Sequence, residues 1–126
     1  MINDENPQIA YKDLQVWQKS IEFASNVIQT LENLNSDRKH YRLIDQLESD
    51  VTSIPMNIAE GNGRISKEEF IQFLKVARDS ICGTLTSLKV FLRQDWIAKD
   101  IYSEHETSSI EIIRMLKSPI NSIFHS

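Results

Sequence analysis

The sequence has little of what a disulfide scaffold, a membrane protein or a turn-rich sheet requires. Its 126 residues include one cysteine, three glycines and three prolines. Cys82 alone cannot form an internal disulfide, which favours a reducing compartment. No apolar run approaches the roughly 18 residues of a membrane-spanning helix, and the opening MINDENPQIAY lacks the basic and apolar regions of a signal peptide. We therefore expect a cytoplasmic protein without a membrane partner.

Few glycines and prolines also mean few forced turns, which favours long helices. Apolar residues make up 40% of the chain and charged residues 25%, as is ordinary for a globular protein. The chain has the length of one domain, and it is long enough to bury a core without disulfides. We predict a single domain over residues 1–126, with an N-terminal arm at 1–12.

Apolar residues recur at helical spacing in four segments. In the first segment they follow one another at steps of three and four residues, and the polar stretches NSDRKH and QDWIAKD interrupt the pattern further on. Short connections make successive helices antiparallel. The pattern predicts an all-α, up-and-down antiparallel four-helix bundle, with helices at about 13–34, 39–61, 66–94 and 99–124.

The ends of the first and fourth helices carry their own signals. Asp13 is a good N-cap for the first helix. The fourth helix begins between Ala98 and Ser103, and a capping box formed by Ser103 and Glu106 favours the later start. Pro119 should bend or fray this helix near its end.

The stretch SIPMNIAEGNGRISKEEF, residues 53–70, joins the second and third helices. Pro55 lies inside an apolar stripe that continues in phase, so we predict a kinked helix that resumes. Thr52 and Ser53 are available to satisfy the freed carbonyls. Gly61 is expected at the left-handed position after the helix, and Gly63 gives the loop a second freely turning point.

The third helix has a clear predicted start. Ser66 and Glu69 form a capping box, and Ile65 with Phe70 forms a hydrophobic staple. Further along, this helix presents a face of small residues that a neighbouring helix could approach closely: Ser80, Gly83, Thr84 and Ser87.

Residues able to do chemistry are few and scattered. The histidines, His40, His105 and His125, are far apart and form no zinc or di-iron motif. The EHE at 104–106 is interpreted as a solvated first turn, because adjacent helical residues point in different directions. Cys82 is expected to be a packed structural residue. We predict no catalytic residue, no cofactor and no metal site.

Four cations of the third helix fall within about 60° on a helical wheel: Lys75, Arg78, Lys89 and Arg93. A stripe of this kind either contacts the phosphate backbone of a nucleic acid, together with Arg64 just before the helix, or is a solvent-exposed surface beside the apolar stripe and binds no nucleic acid. The net charge of −4 argues against strong general attraction to nucleic acid.

Two parts of the sequence resemble one family. These are the opening Asp-Leu-x-Val-Trp-Gln pattern and the central stretch at 53–70. The family is that of four-helix-bundle proteins encoded in intervening sequences of bacterial 23S ribosomal RNA genes, also called S23 ribosomal proteins. The resemblance extends to Leu88, and beyond it only the hydrophobic phasing is similar. The matching positions are Asp13, Leu14, Val16, Trp17, Gln18, Ser53, Ile54, Pro55, Asn57, Ile58, Ala59, Glu60, Gly61, Gly63, Arg64, Ser66, Glu69 and Phe70.

The resemblance implies a four-helix bundle that assembles as a homopentameric ring, without enzyme activity. The small-residue face of the third helix is consistent with close contact between subunits. A related branch is similar to accessory proteins of diversity-generating retroelements, which are strongly basic and bind nucleic acid and a reverse transcriptase. This chain departs from that branch, because its net charge is −4 and it has Glu48 and Asp50 where such proteins often place arginines.

Asn57, Glu60 and Arg64 are not explained by backbone or capping requirements. Glu60 and Arg64 either pair across the turn, or Arg64 reaches a neighbouring subunit. Ligand or RNA contact is the remaining alternative. An active site is not expected, since no nucleophile or paired base accompanies these residues.

Two functions follow as hypotheses. The first is a non-enzymatic oligomeric interaction module of the 23S rRNA intervening-sequence type, with RNA or a protein as partner. The second is an accessory scaffold subunit of a nucleic-acid enzyme such as a reverse transcriptase. The location of the gene, inside a ribosomal RNA gene or beside a reverse transcriptase, separates them.

Overall fold

Four helices make up the regular structure of the described part of the chain. The computed structural model describes residues 14–36, 40–64 and 66–125, and their side chains as far as Lys117. The helices are α1 (Gln15–Glu32), α2 (Tyr41–Asn62), α3 (Lys67–Arg93) and α4 (Lys99–His125). The described part contains no strand, which confirms the predicted all-α class. Each helix packs against two others in the order α1, α2, α3, α4 and back to α1.

The core consists of one apolar stripe from each helix. The step of three or four residues keeps each stripe on one side of its helix, and burying a Leu or Ile side chain contributes about 1.5–3 kcal/mol. Ile21, Leu43 and Ile110 fit the apolar spacing of their helices but are exposed, because they lie at the edges of the buried stripes. The largest fully buried side chains are Phe23, Val27, Leu47, Val51, Ile54, Ile58, Leu74, Ile81, Leu88, Phe91, Ile112 and Leu116.

The starts of α1 and α4 are formed without the predicted caps. Leu14 occupies the N-cap position of α1 without a side-chain cap, and Asp13 lies outside the described residues. The fourth helix begins at Lys99, so Ser103 lies within it and the predicted Ser103–Glu106 capping box is wrong. Asp100 instead satisfies a backbone amide of the first turn, since its Oδ1 accepts a hydrogen bond of 3.0 Å from the Ile101 amide. Pro119 lies beyond the described side chains.

Helix α2 continues through Pro55, which is buried. The two hydroxyls before the proline donate to carbonyls in the preceding turn. Thr52 Oγ1 bonds Glu48 at 2.8 Å, and Ser53 Oγ bonds Asp50 at 2.8 Å. Their acceptors therefore differ from the Val51 carbonyl that proline frees, and the prediction that they serve this carbonyl is corrected.

The left-handed conformation predicted for Gly61 is wrong. Gly61 lies inside α2, and neither glycine has a positive φ. Gly63 is the C-cap, with φ −85° and ψ 0°. Gly61 is small for a different reason: a Cβ there would lie 2.7 Å from Phe73 Cβ and 3.2 Å from the Phe70 carbonyl oxygen. The glycine thus permits close packing of α2 on α3.

The ends of α3 are well defined. Ser66 is the N-cap, and its Oγ accepts a 3.0 Å hydrogen bond from the Glu69 amide. Ile65, the predicted staple partner of Phe70, lies outside the described residues. At the other end, the amide of Trp96 bonds the Phe91 carbonyl at 2.9 Å and that of Asp95 bonds Leu92 at 3.0 Å. This is a Schellman motif, with Asp95 at the left-handed position (φ 62°).

Candidate interaction surfaces

The three polar residues near the end of α2 have partners within the chain. Asn57 Nδ2 donates to the Ser53 carbonyl at 2.7 Å. Arg64 Nη2 lies 2.9 Å from Glu60 Oε2, and the guanidinium lies 4.7 Å from the centre of the Phe73 ring. An exposed pair of this kind contributes at most about 1 kcal/mol. These contacts link the end of α2 to α3, and the exposed side chains of Glu60 and Arg64 remain accessible to a partner.

The small-residue face of α3 packs against α2 of the same chain. The hydroxyls of Ser53 and Ser80 are hydrogen-bonded to each other at 2.5 Å, and a Cβ on Gly83 would lie 3.3 Å from Asp50 Oδ2. Thr84 is buried and donates to the Ser80 carbonyl at 2.8 Å. Close contact along Ser80 and Gly83 therefore occurs within the subunit, and this face no longer argues for contact between subunits.

Large apolar side chains of α2 and α3 are exposed to solvent. The contacts of α2 with α3 define an antiparallel register, in which Leu43 lies level with Val90 and Asn57 level with Val76. Leu43 is 47% exposed, Met56 63%, Val76 47% and Val90 46%. We use the name α2–α3 face for these four residues, with Leu43 and Met56 about 140° apart around α2. This face was not predicted from the sequence, although Val76 and Val90 lie outside the apolar arc of α3 and could have indicated it.

The predicted basic stripe lies on the side of α3 that faces α4. Lys89 Nζ lies 4.7 Å from the centre of the Tyr102 ring on α4. Lys75 and Arg78 are half-buried, whereas Lys89 and Arg93 are exposed. Arg64 stacks on Phe73, which stands roughly 200° around the helix from Lys75. The structure therefore groups the four cations of α3 but does not bring Arg64 to them.

Acidic and aromatic groups border the basic stripe. Tyr102 donates a 3.3 Å hydrogen bond to Glu106 Oε2. Burial and the neighbouring Glu106 carboxylate raise the pKa of Tyr102 above its ordinary value, so its hydroxyl stays neutral at physiological pH. Glu106 and Lys89 both contact the Tyr102 side chain, so the carboxylate reduces the positive potential at this end of the stripe.

His105 and Cys82 differ from their predicted settings. Cys82 is exposed rather than packed. His105 is buried, with 6% of its surface exposed, because it continues the α4 stripe in phase with Tyr102 and Ile112. That spacing could have shown that the EHE segment is not simply a solvated turn. No group of three His, Cys, Asp or Glu side chains within the described residues could hold a metal ion.

The His105 ring links α4 to α1. Its Nε2 lies 2.8 Å from Thr30 Oγ1, and the ring meets Phe23 edge-on, with centroids 6.1 Å apart. Burial lowers the pKa of His105 below its ordinary value, with the Glu104 carboxylate acting in the opposite direction. The neutral imidazole is therefore the form that suits this contact.

These observations define a helical module with exposed apolar and basic surfaces. No helix that the structure describes is both long enough and apolar enough to cross a membrane. The model of the family described as 23S rRNA-intervening sequence protein matches residues 12–118. The chain belongs to this family, as its resemblance indicated.

A solved structure supports the same assignment. The chain is similar to a protein from Bacteroides thetaiotaomicron, described as a protein with unknown function from the S23 ribosomal protein family. The two share 30% sequence identity over 83% of this chain and 97% of the other, with a TM-score of 0.77. Among curated proteins, the chain has no match.

Proposed function

We propose that the protein is a cytoplasmic, non-enzymatic interaction module that acts as an oligomer, with five subunits as the family resemblance implies. The observation that carries this proposal is the α2–α3 face. It exposes Leu43, Met56, Val76 and Val90 by 46% to 63%. Around α3, Val76 and Val90 lie within about 40° of each other, so one partner surface can cover both. A second copy of the chain would remove them from water, at about 25 cal/mol per Å² of apolar surface buried.

The interface proposal predicts that charges on the α2–α3 face dissociate the oligomer. Val76→Asp with Val90→Asp places two carboxylates at both ends of the α3 side of the face, where burial between subunits would be unfavourable. Sedimentation velocity should show the double variant moving as a smaller species than the wild type. Circular dichroism should show unchanged helix content, since both valines are exposed within the subunit.

A matched control comes from α4. Ile110 is 43% exposed but lies outside the α2–α3 face, so Ile110→Asp should leave the sedimentation coefficient unchanged. Equal sedimentation of the wild type and the Val76/Val90 variant would contradict the proposed interface.

We further propose RNA as a partner, held weakly by the stripe of Lys75, Arg78, Lys89 and Arg93. The net charge of −4 keeps a single stripe weak, but an oligomer repeats the stripe and adds avidity. Each phosphate bound on a single strand steepens the dependence of log affinity on log salt by about 0.7. Titration of unstructured RNA at several salt concentrations should show this dependence.

The test removes the two exposed cations of the stripe. Lys89→Gln with Arg93→Gln should flatten the salt slope by about 0.7 for each phosphate that the variant no longer neutralises. Lys19→Gln with Arg42→Gln changes the net charge equally on α1 and α2, and should leave the slope unchanged. The stripe does not bind RNA if the wild type fails to bind RNA at low salt, or if the two double variants have the same salt slope. A protein, such as the catalytic subunit of a nucleic-acid enzyme, would then be the partner.

A further inference from the structure

An open groove runs between α1 and α4 and is closed at one end by the α3–α4 turn. Its volume is about 1190 Å³, above the range of about 300–1,000 Å³ usual for small-molecule pockets. Trp96, Ile97 and Ile101 give it an apolar wall, while amide and hydroxyl side chains of both helices give it polar sides. An open groove of this size suits a segment of extended chain better than an enclosed metabolite.

The wall formed by Trp96 is held in place before any ligand arrives. The Trp96 amide is fixed by the Schellman motif, and the Trp96 carbonyl accepts a 2.9 Å hydrogen bond from the Asn35 amide. The indole stacks on His40, with centroids 4.3 Å apart, and packs on Phe91 at 5.0 Å. Such preorganisation lowers the entropy lost on binding.

The charge of the groove selects among ligands. Asp95 and Glu104 line it, and no Lys or Arg is among its described lining residues. His105 lies at its floor, buried and bonded to Thr30. The start of α4 carries Lys99 and Asp100 side by side, and the Asp100 carboxylate accepts a hydrogen bond from the Ile101 amide, so this helix end adds no net charge. Phosphates and nucleic acid are therefore disfavoured, and positive charge is favoured.

The polar sides match the needs of a peptide backbone. Asn26, Gln29 and Asn33 present side-chain amides from α1, each with donor and acceptor atoms. Asn33 Nδ2 already donates to the Gln29 carbonyl at 2.9 Å, so its oxygen remains the group suited to a ligand. Amides along one wall can satisfy the N–H and C=O groups that an extended segment presents.

We propose that the α1–α4 groove binds a lysine- or arginine-bearing peptide segment of a protein partner. The backbone of the segment pairs with the α1 amides, its apolar side chains pack on Trp96 and Ile101, and its cations lie near Asp95 and Glu104. The proposal goes beyond the oligomer and RNA proposals, since it uses different helices and opposite charge. Failure of the peptide proposal therefore leaves the oligomer and RNA proposals unaffected, and the reverse also holds.

The experiment is a titration of the full-length chain with two capped hexapeptides, followed by amide NMR. The first is acetyl-Leu-Lys-Ala-Arg-Leu-Ala-amide, and the second carries glutamates in place of its lysine and arginine. The basic peptide should produce saturable shifts of the Trp96 indole signal and of the Asn26 and Gln29 side-chain amides. The acidic peptide should leave these signals unchanged.

The second part of the experiment repeats the peptide titration with variants that remove charge from the groove. Asp95→Asn keeps a residue that tolerates the left-handed conformation, and with Glu104→Gln it should weaken basic-peptide binding about fivefold, as the removal of two exposed ion pairs implies. Glu68→Gln with Asp79→Asn removes two exposed carboxylates of α3 and should bind as the wild type does. Absence of shifts with the basic peptide, equal shifts with both peptides, shifts confined to the α2–α3 face, or wild-type affinity in the Asp95/Glu104 variant would overturn the proposal.

Discussion

Replacing Gly61 by alanine should lower the free energy of unfolding by about 1–2 kcal/mol. The added Cβ would lie 2.7 Å from Phe73 Cβ and 3.2 Å from the Phe70 carbonyl oxygen, and neither atom is the end of a flexible side chain. Overpacking of this kind costs about 1–3 kcal/mol. Alanine recovers up to about 1 kcal/mol, because it is a better helix former than glycine. Urea unfolding of wild type and variant at equal protein concentration measures the difference.

The other glycines supply matched controls. A Cβ on Gly63 would meet its nearest atom at 3.7 Å, and one on Gly83 would meet the flexible Asp50 carboxylate at 3.3 Å. Gly63→Ala should therefore change stability by less than about 0.5 kcal/mol. Gly83→Ala should be neutral or stabilising, because it lies within α3. An equal loss of stability at all three positions would show that Gly61 is not a special point of contact between α2 and α3.

His105 should make the protein sensitive to mild acid. Because burial lowers its pKa in the folded state, the unfolded chain takes up the proton first as the pH falls through the ordinary histidine value of about 6.5. Stability should then decline from pH 7.5 downward, by at most about 1.4 kcal/mol per pH unit, and level off below the folded-state pKa. Urea unfolding between pH 5 and pH 8 measures this dependence.

Two variants separate the charge of His105 from its packing. His105→Ala removes a buried ring against Phe23 and a partner of Thr30, so it should cost about 2 kcal/mol at neutral pH. His105→Phe keeps a ring but cannot titrate. It should flatten the decline below pH 7, and Thr30 Oγ1 retains the Asn26 carbonyl as a partner at 3.1 Å. A decline that persists unchanged in His105→Phe would assign it to other groups.

The helices could be predicted because their signals are local. Steps of three and four residues between apolar positions set each stripe, and Ser66 marks the start of α3 through its own hydrogen bond to the Glu69 amide. The in-phase stripe around Pro55 likewise indicated that α2 continues. Such patterns depend on neighbours a few residues away, so the sequence alone carries them.

The remaining features depend on contacts between helices. Gly61 was expected to turn the chain, but its role is set by Phe70 and Phe73 on another helix. His105 is buried because Thr30 and Phe23 cover it from α1. The small face of α3 predicts a closely packed neighbouring helix and is consistent with a second subunit, but the helix that covers it is α2 of the same chain, through Ser53. Only a three-dimensional arrangement identifies which surface each residue meets.

The proposed oligomer is tested most directly by the mass of the native protein in solution. Multi-angle light scattering at micromolar concentration should give a mass near five chains of 14.6 kDa. The Val76→Asp, Val90→Asp variant should give a smaller mass under the same conditions. A mass of one chain for the wild type, unchanged with concentration, would contradict the proposal that the exposed α2–α3 face joins subunits.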